Sequence, residues 1–156
     1  MMKRTIIGWL FMCFVIAVSA QNLKFKDGKF KIIQFTDLHY KLGNPASRQA
    51  TDCLYEIVKA EQPDLIVLTG DVIYSKPGDM CLQQILNIMS DLKVPFCYLL
   101  GNHDPEQGTP VSQLYDQAQQ NTYCVQPKRN GNALDFALPI KSSDGAKTAA
   151  VIYGMD

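Results

Sequence analysis

Three short apolar runs, separated by two stretches with helical spacing, organise the first hundred residues. Phe30 to Phe35 reads as a strand, carrying Ile32, Ile33 and Phe35 up to Thr36-Asp37. After a turn at Leu42-Gly43-Asn44-Pro45, residues Ala50, Leu54, Ile57 and Val58 recur at one-face spacing. This predicts a helix from about Ser47 to Glu61, with Pro63 blocking its continuation. Asp64 to Thr69 holds the continuous run Leu65-Ile66-Val67-Leu68, the pattern of a strand buried on both faces. Leu82, Ile85, Leu86, Met89 and Leu92 predict a second helix over Met80 to Leu92, and Phe96 to Leu100 a third strand. Strand, helix, strand, helix, strand is a run of βαβ crossovers, which implies an α/β fold with a parallel sheet covered by helices. The pattern then loosens. Val111 to Gln120 reads as a short helix; Ala133 to Ile140 and Thr148 to Tyr153 alternate like two strands joined by a hairpin turn at Ser142-Ser143-Asp144-Gly145. The last strand runs to Gly154-Met155-Asp156 and leaves an edge with nothing after it to pair, so the sequence is expected to be part of a longer reading frame.

Composition changes this picture at the N-terminus. With 47% hydrophobic and 19% charged residues the chain is globular in character, and 156 residues suffice for one domain. Met1-Met2-Lys3-Arg4, the apolar run Ile6 to Val18 and the small residues at Val18-Ser19-Ala20 form the three parts of a secretory leader. Residues 1–20 are therefore expected to be a signal peptide cut after Ala20, and residues 21–156 the N-terminal part of the folded domain. The apolar run is shorter than the roughly 18 to 20 residues that span a bilayer; an uncleaved anchor is the rival reading. Export makes the protein secreted or periplasmic, with no stable membrane anchor once the leader is cut. Losing Lys3 and Arg4 leaves 13 bases against 15 acids, which argues against a nucleic-acid-binding surface or an anionic membrane as partner. Four cysteines survive cleavage: Cys53, Cys81, Cys97 and Cys124. Their spacings match no zinc or redox motif. Cys97, inside Phe96-Cys97-Tyr98-Leu99-Leu100, reads as a buried free thiol, and pairing among the others stays open.

The candidate chemistry lies at the strand ends. In an open parallel sheet, ligand sites form beyond the carboxyl edge of the strands, and each of the three strands here runs into a polar cluster: Asp37-Leu38-His39, then Gly70-Asp71, then Gly101-Asn102-His103-Asp104. Alone, Asp37 is a turn cap, Gly70-Asp71 a common turn dipeptide and Gly101-Asn102 a loop after a strand. Together they are more specific. Asp37, Asp71 and Asn102 follow successive strands at intervals of 34 and 31 residues, and the chain's two histidines, His39 and His103, both lie inside these clusters. Two carboxylates, an imidazole and an amide oxygen converging on one patch suit divalent ions, and a shared carboxylate can hold two of them to activate water against phosphate esters.

In this order, Asp-x-His, Gly-Asp and Gly-Asn-His-Asp resemble the calcineurin-like metallophosphoesterases. The runs Ile33-Gln34-Phe35-Thr36-Asp37-Leu38-His39-Tyr40 and Lys59-Ala60-Glu61-Gln62-Pro63-Asp64-Leu65-Ile66-Val67 are similar to the purple-acid-phosphatase-like branch. The resemblance covers Phe30 to the end. It implies a sandwich of β-sheets flanked by helices, present here as an incomplete βαβαβ half plus a hairpin. It further implies a hydrolase of phosphoric esters, acting on a small-molecule phosphate ester through two divalent or trivalent metal ions (Fe, Mn or Zn) and a metal-bound hydroxide. Asp37 and His39 would bind the first ion, Asp71 would bridge both, and Asn102 would bind the second. His103 would stabilise or protonate the leaving oxygen, with Asp104 orienting its ring. Tyr74, in Gly70-Asp71-Val72-Ile73-Tyr74, matches the position of the metal-binding tyrosine of true purple acid phosphatases. With His39 present, Tyr74 is read instead as a loop aromatic. The family completes its site with histidines from its C-terminal half, whereas nothing after His103 is histidine. This leaves one nearly complete site and one half-built one, and the chain alone is expected to turn over little or nothing. A non-catalytic metal-binding or scaffold protein derived from the same fold is the alternative. Substrate, monoester or diester preference, metal identity and oligomeric state are open.

Overall fold

The computed structural model describes residues 23–129, 131 and 133–155. The expected leader, residues 1–20, lies outside them. The elements run β1 (Ile32–Phe35), α1 (Pro45–Glu61), β2 (Leu65–Thr69), α2 (Gly78–Leu92), β3 (Phe96–Leu99), a single 3₁₀ turn (Pro105–Gln107), α3 (Val111–Gln119), β4 (Phe136–Lys141) and β5 (Thr148–Gly154). No helix among them is long and apolar enough to cross a membrane.

The first three strands form a parallel sheet in the order β1-β2-β3. Right-handed crossovers in a sheet that grows in one direction put both connecting helices on one face. The period-2 alternation of the strands then divides the interior in two. Ile66, Leu68, Phe96 and Tyr98 point to the helical side, where they pack with Leu54 and Val58 of α1, Leu82, Ile85 and Met89 of α2, and Leu114 of α3. Leu65 and Cys97 point the other way, onto Phe136, Leu138 and Ile140 of β4. β4 and β5 pair antiparallel as a second sheet, so the sandwich expected from the sequence is present as a three-stranded and a two-stranded layer. β2, at the centre, has Leu65, Ile66 and Leu68 fully buried, each contributing roughly 1.5–3 kcal/mol of apolar burial.

Helix α1 starts two residues before the expected Ser47. The Asn44 side chain accepts from the Ala46 amide at 2.9 Å, and Pro45 takes the first helical position, where its missing N–H costs nothing. Its buried stripe is also rotated from the apolar reading: Ser47, Thr51, Leu54 and Val58 face inward, and Ile57 stays 37% exposed. The two hydroxyls are tolerated inside because each is partnered. Ser47 accepts from the Lys41 amide at 2.9 Å, and Thr51 donates to the Arg48 carbonyl at 2.8 Å.

The four described cysteines are free thiols. Cys97 is fully buried as expected. Burial, with Cys124 nearby, pushes its pKa up to about 12, and burial raises Cys124 to about 11.

Candidate metal centre

Beyond their last ladder pairs, β1 and β2 stay zipped through their loops. The Asp37 amide donates to the Gly70 carbonyl at 3.1 Å, His39 to Asp71 at 2.9 Å and Tyr40 to Val72 at 2.9 Å, and the Tyr74 amide donates back to Tyr40 at 2.8 Å. This pairing places the Asp37-His39 and Asp71 side chains next to one another. One ligand atom from each of Asp37, His39 and Asp71 lies within 4.8 Å of the others. His39 Nε2 stands 3.7 Å from Asp37 Oδ1 and 3.7 Å from Asp71 Oδ2.

The arrangement is held at a conformational cost. Asp37, His39 and Asp71 all have positive φ, at 54°, 42° and 50°, a region that non-glycine residues visit rarely and at a cost of order 1–3 kcal/mol each. Gly70, with φ 86°, lets β2 turn into the loop; a Cβ there would stand 2.7 Å from Gly101 Cα. At Gly101 a Cβ would fall on the Asp71 amide nitrogen and Oδ1. The loops after β2 and β3 therefore touch backbone to backbone, and only glycine at both positions admits the contact.

That approach brings the third cluster in. The His103 amide donates to Asp71 Oδ1 at 2.9 Å, so each Asp71 oxygen has a neighbour in the site. The rings of His39, Tyr74 and His103 gather above: His39 to Tyr74 is 4.7 Å between centroids, Tyr74 to His103 5.0 Å and His39 to His103 5.6 Å. The Lys41 ammonium lies 4.8 Å over the Tyr74 ring. Asn102 is exposed, on the loop between Gly101 and His103, both anchored through their amides.

Asp104 has a different role from the one expected. It is fully buried, and its carboxylate accepts from the Ile73 amide at 2.9 Å and the Gly101 amide at 2.8 Å, tying the two loops together instead of meeting the His103 ring. Burial holds its pKa above the ordinary carboxylate range, against the pull of these amides. The partner of the ring is Glu106, whose Oε2 lies 2.6 Å from His103 Nδ1. That hydrogen bond raises the His103 pKa. The sequence signal for Glu106 was its spacing, three residues on from the histidine and just past a proline, which closes a tight turn back onto the ring.

Two carboxylates and an imidazole gathered within 4.8 Å of one another make a candidate site for one divalent ion.

A sequence profile described as calcineurin-like phosphoesterase matches residues 30–154. Among curated proteins, the chain is 32% identical over 111 residues to probable inactive purple acid phosphatase 29 of Arabidopsis thaliana, covering 58% of the chain and 28% of that protein. It is 33% identical over 91 residues to a probable cyclic nucleotide phosphodiesterase of Psychrobacter arcticus, covering 50% and 32%. It is 30% identical over 112 residues to phosphatase DCR2 of Saccharomyces cerevisiae, covering 58% and 19%. The chain thus spans less than a third of the length of each of these relatives.

Proposed function

The chain belongs to the calcineurin-like phosphoesterase family, and on that premise we propose that it carries the metal-binding half of a phosphoric ester hydrolase with a dinuclear centre. The observation that carries the reading is the convergence of Asp37, His39 and Asp71 within 4.8 Å. In the proposal Asp37 and His39 would hold a first ion, Asn102 would serve a second, and Asp71 would be shared between them. When bound, the ions lower the pKa of a coordinated water that serves as nucleophile and neutralise charge on the transferring phosphoryl group. Iron, manganese and zinc all suit these ligands.

The chain's own residues do the rest. Asp71 is oriented by the His103 amide, and His103, beside the site, donates a proton to the leaving oxygen as its bond to phosphorus breaks. Asp104 holds the loops of β2 and β3 in contact. Tyr74, packed edge-on against His103, forms a wall of the site. The substrate is a small phosphate ester, and the leader reading makes the protein secreted or periplasmic.

Calorimetric titration with zinc, alongside turnover of p-nitrophenyl phosphate and its bis ester, tests this. One ion should bind well, a second weakly, and turnover by these 156 residues should be low. Zinc binding that survives replacement of both Asp37 and His39 by alanine would overturn the assignment. A second reading, metal binding without catalysis, is favoured by the name of the Arabidopsis relative, a probable inactive phosphatase. It predicts the same zinc isotherm with no turnover at any metal concentration.

A further inference from the structure

His103 is held at three separate points. Its amide donates to Asp71 Oδ1 at 2.9 Å, and its carbonyl accepts from Gln107 Nε2 at 2.9 Å. Its ring nitrogen Nδ1 lies 2.6 Å from Glu106 Oε2. Gln107 is 8% exposed, so the carbonyl clamp is built into the interior. The base of the turn is rooted by Asp104, whose two carboxylate oxygens take the Ile73 and Gly101 amides. Pro105 opens the 3₁₀ turn, and this tight winding returns Glu106 over the histidine three residues before it. The three side chains divide the work. Asp104 fixes the turn to the neighbouring loop, Gln107 fixes the backbone, and Glu106 alone reaches the imidazole.

We propose that Glu106 is the positioning residue of the site, holding the proton on His103 Nδ1 and so presenting Nε2 to the phosphate ester. A carboxylate accepts hydrogen bonds and cannot donate them when ionised, so a short contact to Nδ1 requires the hydrogen on that nitrogen. The second nitrogen, Nε2, is then the one that exchanges a proton with substrate. The His103 ring lies 5.6 Å from that of His39. Fixing the tautomer through the nitrogen that does not react is a general way of orienting a working imidazole. Glu106 itself, 58% exposed at its side chain and directed at Nδ1, touches no reacting atom.

The inference rests on reading His103 as the group that serves the leaving oxygen, but its test does not. Nitrogen-15 NMR of the metal-free protein, at a pH where His103 is neutral, reports which ring nitrogen carries hydrogen. The wild type should show Nδ1–H alone. Glu106→Gln should keep that tautomer, because the amide oxygen still accepts, whereas Glu106→Ala should lose it and give a mixture. A purely structural role would lower the unfolding midpoint in both variants and leave the tautomer unchanged. An Nε2–H tautomer in the wild type, or an unchanged Nδ1–H in Glu106→Ala, would overturn the proposal. The zinc titration of the wild type decides the metal reading separately, so the two can fail independently.

Discussion

The His103 amide donates to Asp71 Oδ1 at 2.9 Å, so the carboxylate at the centre of the site is set by the backbone of the residue that follows Asn102. The contact depends on the absence of a side chain at Gly101, where a Cβ would fall on Asp71 itself. Gly101→Ala should therefore push the loops of β2 and β3 apart. Zinc affinity should drop about 10- to 100-fold, the usual loss when the partner that orients a ligand is removed. Stability should fall by about 1–3 kcal/mol from overpacking. Calorimetry and urea unfolding read the two effects; unchanged zinc affinity would show that the close approach does not serve the metal site.

Asp71→Asn separates charge from shape. An amide oxygen can still accept from the His103 N–H, so the metal-free protein should unfold at nearly the wild-type midpoint. The negative charge facing His39 Nε2 at 3.7 Å is gone, and zinc binding should weaken by at least about tenfold, since affinity follows ligand charge and count. In the wild type, zinc at 100 times its dissociation constant should stabilise by about 2.7 kcal/mol, and a chelator should remove that gain. Thermal shifts with and without zinc provide the check. A wild-type shift in Asp71→Asn would place the ion elsewhere.

Thiol reactivity follows burial. Among the described residues, Cys53 is exposed, whereas Cys81 and Cys97 are fully buried. Cys97 is further protected by a pKa pushed up to about 12, which leaves almost no thiolate at neutral pH. Native protein should label rapidly at Cys53, and Cys97 should react only after denaturation, as mass spectrometry of the labelled peptides can show. Fast labelling of Cys97 in native buffer would mean that the hairpin β4-β5 opens from the sheet.

Much of this arrangement is legible in the sequence. The βαβαβ order follows from periodicity because β2 is buried on both faces and the helices on one. The cluster of Asp37, His39 and Asp71 follows from strand ends in a parallel sheet. What could not be read was decided by tertiary partners. Ile57 looked like core, but the stripe of α1 is turned by Ser47 and Thr51, whose hydroxyls find backbone partners inside. The family resemblance implies Asp104 as the partner of the His103 ring. Its carboxylate was drawn instead to two amides of the crossing loops, and the ring was left to Glu106. Nor does sequence reveal that all three members of the cluster sit at positive φ, a strain that the zipped loops impose on residues that are not glycine.

At the opposite end of the sheet, Asp64 links three parts of the chain just before β2. Its carboxylate meets Lys26 Nζ at 2.6 Å and accepts from the Lys31 amide at 2.9 Å, while its own amide donates to the Lys31 carbonyl at 2.8 Å. Burial pushes its pKa up, but the Lys26 and Lys31 hydrogen bonds outweigh it and leave the group below its ordinary value. A carboxyl whose folded pKa is depressed adds stability above its unfolded value near 3.9, and that addition is lost as pH falls through the folded value. Lys26 is largely exposed, so the ion pair is screened and the whole contribution should be on the order of 1 kcal/mol. Asp64→Asn should thus lie below wild type by about that amount at pH 6 to 7. The gap should begin to close below the unfolded value near 3.9 and vanish once pH falls through the lower folded value, where the wild-type carboxyl also becomes neutral. Urea unfolding of both proteins across this range measures it. A gap that persists undiminished at pH 2 would mean that shape and not charge accounts for the role of Asp64.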